Sequence, residues 1–169
     1  MTVFSELIKT RYSVRTFKAL PVEDAILTQV LEAGRLAPTA CNNQPQRIKI
    51  ITSPEDLTKI DACTPCRFGA PAVLLVCYDK SICWRSPFDG MLSGVVDASI
   101  VTTHIMLAAH EVGLGACWVM YFDQVQVTAL FGLGENIVPV AMLPLGYPAE
   151  SAAPNESRRQ RQALDKLLI

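Results

Sequence analysis

The chain has 169 residues, the usual length of one domain, and we predict a single domain over residues 1–169. Half of the residues are hydrophobic and only 18% are charged, so we expect a homodimer in which each subunit covers apolar surface of the other. The net charge is −1 and both signs are scattered, which excludes the basic patch of a nucleic-acid-binding protein.

The first part of the chain is predicted to contain helices separated by extended segments. Apolar residues at helical spacing and capping residues mark the helices, whereas prolines and turn residues mark the breaks. The predicted elements are a helix over 2–10 capped by Thr2, an extended segment over 11–17, a helix between Pro21 and Pro38, a loop over 38–46, a strand over 47–53 and a helix over 54–63 capped by Ser53.

The middle of the chain contains the clearest strand and the longest helix. Residues 70–79 form an uninterrupted apolar run, which predicts a strand in the centre of a sheet. Residues 91–112 predict one helix whose apolar side chains cover nearly its whole circumference, as expected of a buried core helix. The charged and polar residues on this helix, Asp97 and His104 among them, argue against a membrane span.

The remaining elements are shorter. Residues 80–90 are predicted to be a loop, and residues 116–122 a loop or a strand. A helix over 123–133 is predicted to be capped by Asp123. The final strand is predicted over 137–148, and its prolines indicate that parts of it lie at a sheet edge or at the strand ends.

The cysteines and the N-terminal residues indicate a cytoplasmic protein. Residues 1–15 lack the continuous apolar segment of a signal peptide. Without an export signal, the six cysteines are expected to be reduced thiols and not a disulfide framework. We therefore expect a cytoplasmic location, with no membrane association.

Two pairs of arginines, one towards each end of the chain, are candidate anion-binding residues. Alternate side chains of an extended segment share a side, so Arg11, Ser13 and Arg15 can point together. The same holds for Arg159 and Arg161. Guanidinium pairs and a hydroxyl suit a phosphate group, which carries ~1.5–2 negative charges. Each pair taken alone is more often a solvated surface patch.

Five segments, in this order, carry a resemblance to a known family. They are RYSVRTF at 11–17, APTACNNQP at 37–45, the apolar strand that opens with Ala70-Pro71, GLGACW at 113–118 and LGYP at 145–148. Together they resemble the nitroreductase family of flavin mononucleotide (FMN) enzymes over nearly the whole chain. The resemblance implies an α+β fold of the three-layer α/β sandwich type, with a central, mostly antiparallel sheet flanked by helices.

The resemblance also implies an FMN site built from both subunits of a homodimer. The N-terminal segment would hold the phosphate and the ribityl chain, and the C-terminal arginines would approach the phosphate. The loop after the second helix would contact the flavin of the partner subunit, and the segment after the long helix would line the ring. The implied FMN-binding residues are Arg11, Tyr12, Ser13 and Arg15; Pro38, Thr39, Ala40 and Asn42, with Gln44 nearby; Trp118, Val119 and Met120; and Arg159 and Arg161.

Two departures from the family pattern affect the choice of substrate. Position 46 is Gln, where family members often have Trp after the Gln-Pro pair. The chain also has no room for the inserted helices that form the substrate channel in larger relatives. Residues 80–90 are the candidate local cover, with Trp84 and Phe88 as aromatic walls.

Other kinds of site do not fit the spacing of the residues. Asp97 and His104 lie ~10 Å apart along a helix, too far for a hydrogen-bonded dyad. Cys63 and Cys66 form one C-x-x-C without the second pair that a zinc or iron–sulfur site needs, so no metal site is predicted. No side chain is predicted to be catalytic, which fits an enzyme whose cofactor carries the chemistry.

The resemblance therefore implies an FMN-dependent oxidoreductase. A hydride would pass from NAD(P)H through flavin N5 to a nitroaromatic, a quinone or a similar electrophile, with ping-pong kinetics. A backbone N–H near Val119 or Met120 would hydrogen-bond N5. The alternative is a flavin-binding sensor, carrier or storage protein without turnover. A specialised flavin reaction and a structural α/β dimer without flavin remain further alternatives.

Overall fold

The computed structural model describes residues 3–169, except for the side chain of Arg159. The cap predicted at Thr2 therefore lies outside the described residues. In chain order the elements are α1 (Val3–Thr10), α2 (Asp24–Arg35), β1 (Gln46–Ile51), α3 (Pro54–Cys63), β2 (Ala72–Asp79), α4 (Gly94–Glu111), β3 (Gly115–Ala116), α5 (Gln124–Leu130) and β4 (Ile137–Gly146). Short 3₁₀ turns cover Ala40–Asn42, Pro65–Arg67, Glu156–Arg159 and Leu164–Leu167.

The four strands form one antiparallel sheet with the order β1-β2-β4-β3. On one face, Leu74 of β2 packs in a cluster with Val30 of α2 and Ile105 of α4. On the other face, Leu75 belongs to a cluster that includes residues of α3 and α5. Successive residues of β2 therefore support opposite layers, as the pleat of a strand requires. The predicted α+β fold with a central antiparallel sheet is confirmed.

The long core helix is confirmed, with a difference at its beginning. It starts at Gly94 and not at residue 91, and Val101 and Ile105 are fully buried. Its first turn is not enclosed, because Val95 is 48% exposed and Val96 is 52% exposed. The start of α4 is therefore one of several places where the single chain leaves apolar side chains exposed. No described helix has both the length and the apolar character that crossing a bilayer requires.

The prediction that the prolines of the last strand lie at a sheet edge or at the strand ends is wrong for Pro144. Pro144 lies inside the sheet, opposite Val73 of β2, and its carbonyl accepts a hydrogen bond of 3.2 Å from the N–H of Cys117. Pro139 lies where the register between β2 and β4 shifts. Because β3 has only two residues, β4 has a full-length partner on one side alone, and this lets it contain residues without an N–H.

Two predicted helix caps are confirmed. Ser53 Oγ accepts from the N–H of Asp56 at 3.2 Å, and Asp123 Oδ1 accepts from the N–H of Gln126 at 2.9 Å. α2 and α5 are shorter than predicted, because the apolar spacing continues past the ends of the regular helices at Arg35 and Leu130.

Candidate functional site

The predicted extended segment over 11–17 lies beside β3. Ser13 pairs with Ala116 in parallel register, and the N–H of Val14 donates to the Ala116 carbonyl at 3.0 Å. The side chain of Val14 is buried against Gly115, where a Cβ would lie 2.6 Å from Val14 Cγ2. Gly115 thus permits the close approach of the two segments. The pleat then turns Ser13 and Arg15 away from Val14, as the spacing predicts.

The chain returns to this segment after β4. The N–H of Lys18 donates to the carbonyl of Tyr147 at 2.8 Å, so the two segments run side by side. The hydroxyl of Tyr12 donates to the Ala152 carbonyl at 3.3 Å. These contacts bring residues from both ends of the sequence to one place.

A cavity of about 250 Å³ lies where the two ends meet. Side chains with hydroxyl, amide and guanidinium groups surround it. Its lining residues are Tyr12, Ser13, Arg15, Asn155, Ser157, Arg158 and Arg161. The structure thus brings together four of the residues predicted to bind FMN. The side chain of Arg159, also predicted, lies outside the described part of the chain.

The charge of the cavity is positive and uncompensated. Among the residues that the structure describes, no carboxylate forms an ion pair with Arg11, Arg15, Arg158 or Arg161. Burial, followed by the charges of Arg158 and Arg161, lowers the pKa of Arg11. Guanidinium groups without a carboxylate partner favour an anion, and phosphate oxygens match their donors.

Arg158 is a site residue that the sequence analysis missed. Its Nε donates to the Arg11 carbonyl at 2.8 Å, and its Nη2 donates to the Lys9 carbonyl at the end of α1. The prediction assumed an extended segment, in which Arg159 and Arg161 share a side. The chain instead forms a 3₁₀ turn over Glu156–Arg159 and becomes extended at Gln160. Arg158 and Arg161 both line the cavity.

The loop over 38–44 has a strained and well-fixed backbone. Three of its non-glycine residues have positive φ angles, 51° at Cys41, 55° at Asn42 and 51° at Gln44. Thr39 Oγ1 accepts from the Gln44 N–H at 3.1 Å, and Gln44 Nε2 donates to the Asn42 carbonyl at 3.2 Å. Because such backbone conformations cost free energy and cluster at ligand sites, the loop is a candidate binding element.

Asp97 fixes this loop to α4. The carboxyl group is almost completely buried, with 1% of the residue exposed. Its Oδ1 accepts from the Ala40 N–H at 2.9 Å, and its Oδ2 accepts from the Ser93 hydroxyl at 2.6 Å. Asp97, which the sequence analysis named among the polar residues of the long helix, therefore supports the loop.

The segment after β3 offers fewer backbone donors than predicted. The N–H of Val119 donates to the Met142 carbonyl at 2.9 Å, so it is already used within the sheet. The Val119 side chain is buried in the core. Met120 is 64% exposed, and its N–H donates to no acceptor among the described residues. Of the two predicted donors to flavin N5, Met120 is the one that remains available.

The loop and the arginine cavity are separate within one chain. None of residues 38–44 lines the cavity at the arginines. The resemblance implies that the loop contributes to the site of a second copy.

His110, near the end of α4, lies beside Arg11 and Arg158. Its Nε2 is 2.9 Å from Thr10 Oγ1. Burial, and then the charges of Arg11 and Arg158, lower the pKa of His110 below its ordinary value of 6.5. In the pH range between these two values, the unfolded chain binds a proton at His110 and the folded chain does not.

We expect the stability of the flavin-free protein to fall as the pH drops from 6.5 towards the lowered pKa of His110, because protonation there favours the unfolded chain. Urea unfolding at several pH values in this range measures the effect. The midpoint should decrease less steeply for His110→Gln than for the unchanged protein. Parallel decreases in the two proteins would show that His110 does not contribute.

Comparisons with known proteins agree on one family. The family model described as "Nitroreductase family" matches residues 8–64 and 67–147. A "Putative NADH dehydrogenase/NAD(P)H nitroreductase" from Methanothermobacter thermautotrophicus is 34% identical over 155 residues, which covers 86% of this chain and 78% of that protein.

Solved structures agree with the sequence comparisons. The crystal structure of a nitroreductase family protein from Clostridium difficile 630 is 37% identical, with a TM-score of 0.93 over 99% of this chain and 98% of that chain. A protein from Exiguobacterium sibiricum, solved in complex with FMN, is 21% identical and has the same fold, with a TM-score of 0.82 over 99% of this chain and 96% of that chain.

Proposed function

The chain belongs to the nitroreductase family, and we propose that it is an FMN-dependent oxidoreductase that acts as a homodimer. FMN, when bound, would take up a hydride from NAD(P)H and pass it to an electrophilic acceptor such as a nitroaromatic or a quinone. The relative from Methanothermobacter thermautotrophicus is named for NAD(P)H, and the structure from Exiguobacterium sibiricum contains FMN. The free thiols of the six cysteines fit a cytoplasmic location.

The observation that carries this proposal is the arginine cavity. Its volume of about 250 Å³ suits a phosphate group with the adjoining part of a ribityl chain. Arg15, Arg158 and Arg161 would bind the phosphate oxygens. Ser13 and the polar side chains from the 155–157 segment would supply further hydrogen bonds. The residues present therefore fit the phosphate end of FMN.

The remaining residues would position the ring. The exposed N–H of Met120 would donate to the flavin edge, and Trp118 would contribute an aromatic surface next to it. Trp118 Nε1 is buried and has no hydrogen-bond partner among the described residues. The loop over 38–44 would come from the partner subunit and contact the ring through Thr39, Ala40 and Asn42.

The rival function is flavin binding without turnover, in a sensor, carrier or storage protein. The connection between β2 and α4, residues 80–93, contains no helix that could form a large cover over the site, and this favours the rival function. An anaerobic experiment separates the two functions. FMN-loaded protein is mixed with NADH or NADPH, and the long-wavelength absorption band of the flavin is followed.

The proposed oxidoreductase should lose this band with the donor and regain it when a quinone is added. Double-reciprocal plots for donor and acceptor should be parallel, because one pocket takes the two substrates in turn. Persistence of the band with both donors would favour the carrier. Intersecting lines would rule out a single pocket that is used alternately.

A further inference from the structure

Phe68 has a backbone conformation that is unfavourable for a large side chain. Its φ angle is 57° and its ψ angle is 27°, which is the left-handed region. A bulky residue rarely adopts this conformation, because its side chain crowds the adjoining backbone, whereas a glycine adopts it freely. Strain of this kind in a folded protein points to a role for the side chain that is kept there.

The ring of Phe68 lies close to Arg15, one of the arginines of the cavity. The centre of the ring is 5.9 Å from Cζ of Arg15, a distance at which a guanidinium group is attracted to an aromatic face. Arg15 is exposed, and no described carboxylate pairs with it. The ring therefore restricts a long side chain that would otherwise sample many rotamers.

The turn over 64–69, which carries Phe68, is fixed to the segment after β3. Thr64 is buried, and its hydroxyl donates to the Tyr121 carbonyl at 2.5 Å. The same hydroxyl oxygen accepts from the N–H of Cys66 at 3.1 Å. One buried hydroxyl thus joins the turn to the segment that is proposed to line the flavin ring.

The other end of the turn is fixed by Arg67. Its Nε and Nη2 each donate to one carboxylate oxygen of Asp61 at 2.6 Å, and its Nη1 donates to the carbonyl of the buried Ala70 at 2.8 Å. Paired bonds to a carboxylate fix both position and orientation. Phe68 therefore lies between two anchored points, and its ring has a defined place beside Arg15.

We propose that Phe68 is a positioning residue, which holds the guanidinium group of Arg15 ready for the phosphate of FMN. This inference rests on the proposed function, in which Arg15 binds phosphate oxygens. Phe68 itself would not contact the phosphate. An arginine that is already restricted loses less conformational freedom when the phosphate binds, and this increases the affinity.

Flavin titrations of Phe68 variants test the proposal. The ring also packs against the buried cluster that includes Leu75, so packing and positioning must be separated. Phe68→Leu keeps an apolar side chain without an aromatic face, and we expect it to bind FMN about 2- to 5-fold more weakly. Riboflavin affinity should stay nearly the same, because the phosphate is absent. Phe68→Tyr keeps the ring and should retain the FMN affinity.

Phe131→Leu is the matched control. This ring packs against the same cluster and lies 5.6 Å from Lys49 Nζ, but it does not line the arginine cavity. Its replacement should leave the affinities for FMN and riboflavin unchanged. Phe68→Gly removes the ring together with the backbone strain, and it should lose the same FMN affinity as Phe68→Leu. An unchanged FMN affinity in both Phe68 variants would overturn the proposal.

A double-mutant cycle shows whether Phe68 acts through Arg15. In protein that already carries Arg15→Ala, Phe68→Leu should cause no further loss of FMN affinity, because the group that it positions is gone. A full additional loss in this background would mean that the ring acts by packing alone, and would overturn the proposal. Failure of the unchanged protein to bind FMN would contradict the proposed function itself, and this inference with it.

Discussion

Replacing Arg161 with alanine is expected to weaken FMN binding by about 10- to 100-fold, the effect of losing a charged hydrogen bond of about 1.5–3 kcal/mol. Arg15→Ala should have an effect of similar size. Both guanidinium groups line the cavity, and no described carboxylate competes for either of them. Arg15 also lies 5.9 Å from the centre of the Phe68 ring, a contact that helps to hold its side chain in place. Equilibrium titration of flavin fluorescence measures the affinities.

Riboflavin, which lacks the phosphate, is the control ligand for this prediction. Its affinity should be nearly the same in Arg161→Ala and in the unchanged protein, because the lost interaction involves only the phosphate. Arg47→Ala is the control variant, since Arg47 lies outside the cavity and pairs with Asp79 at 3.7 Å. Equal losses for FMN and riboflavin would mean that the substitution disturbs the fold. Unchanged FMN affinity in both arginine variants would remove these residues from the site.

Asp97→Ala is expected to lower the free energy of unfolding by about 2–3 kcal/mol, because it leaves one buried and one partly buried donor without an acceptor. These donors are the N–H of Ala40 and the hydroxyl of Ser93. The loop over 38–44 would lose its fixed position, and its three positive φ angles should relax. Weaker FMN binding in the dimer should follow, since this loop is proposed to contact the partner's flavin.

Urea unfolding and amide hydrogen exchange over residues 39–44 measure the two consequences of Asp97→Ala. Asp97→Asn keeps an acceptor oxygen and should show a smaller loss of stability. Glu111→Ala changes an exposed acidic residue on the same helix and should leave both measurements nearly unchanged. An Asp97→Ala protein with normal stability and normal exchange in the loop would show that the carboxyl group does not support it.

Local patterns predicted most of the fold. The apolar run of β2 and the apolar spacing of α4 each result from one element packing against its neighbours, and both elements are found where they were expected. The predicted ends of the elements were less accurate, because apolar spacing continues past the regular part of α2 and α5. The position of Pro144 inside the sheet depends on the two-residue length of β3, which local sequence does not determine.

The candidate site was predictable where a local rule applies. The alternation of side chains along residues 11–15 correctly predicted that Ser13 and Arg15 lie on the side opposite to the buried Val14. Arg158 was missed because the chain forms a 3₁₀ turn where an extended segment was assumed. The support of Ala40 by Asp97 joins residues 57 positions apart, and no local pattern indicates such a contact.

The absorption spectrum of the protein after incubation with FMN tests the central claim, that arginines from both ends of the chain bind the phosphate of a flavin. Purified protein is saturated with FMN, passed through a gel-filtration column and examined at the position of the protein peak. We predict stoichiometric flavin in a peak of the size of a dimer. A colourless protein peak, obtained from folded protein, would contradict the claim.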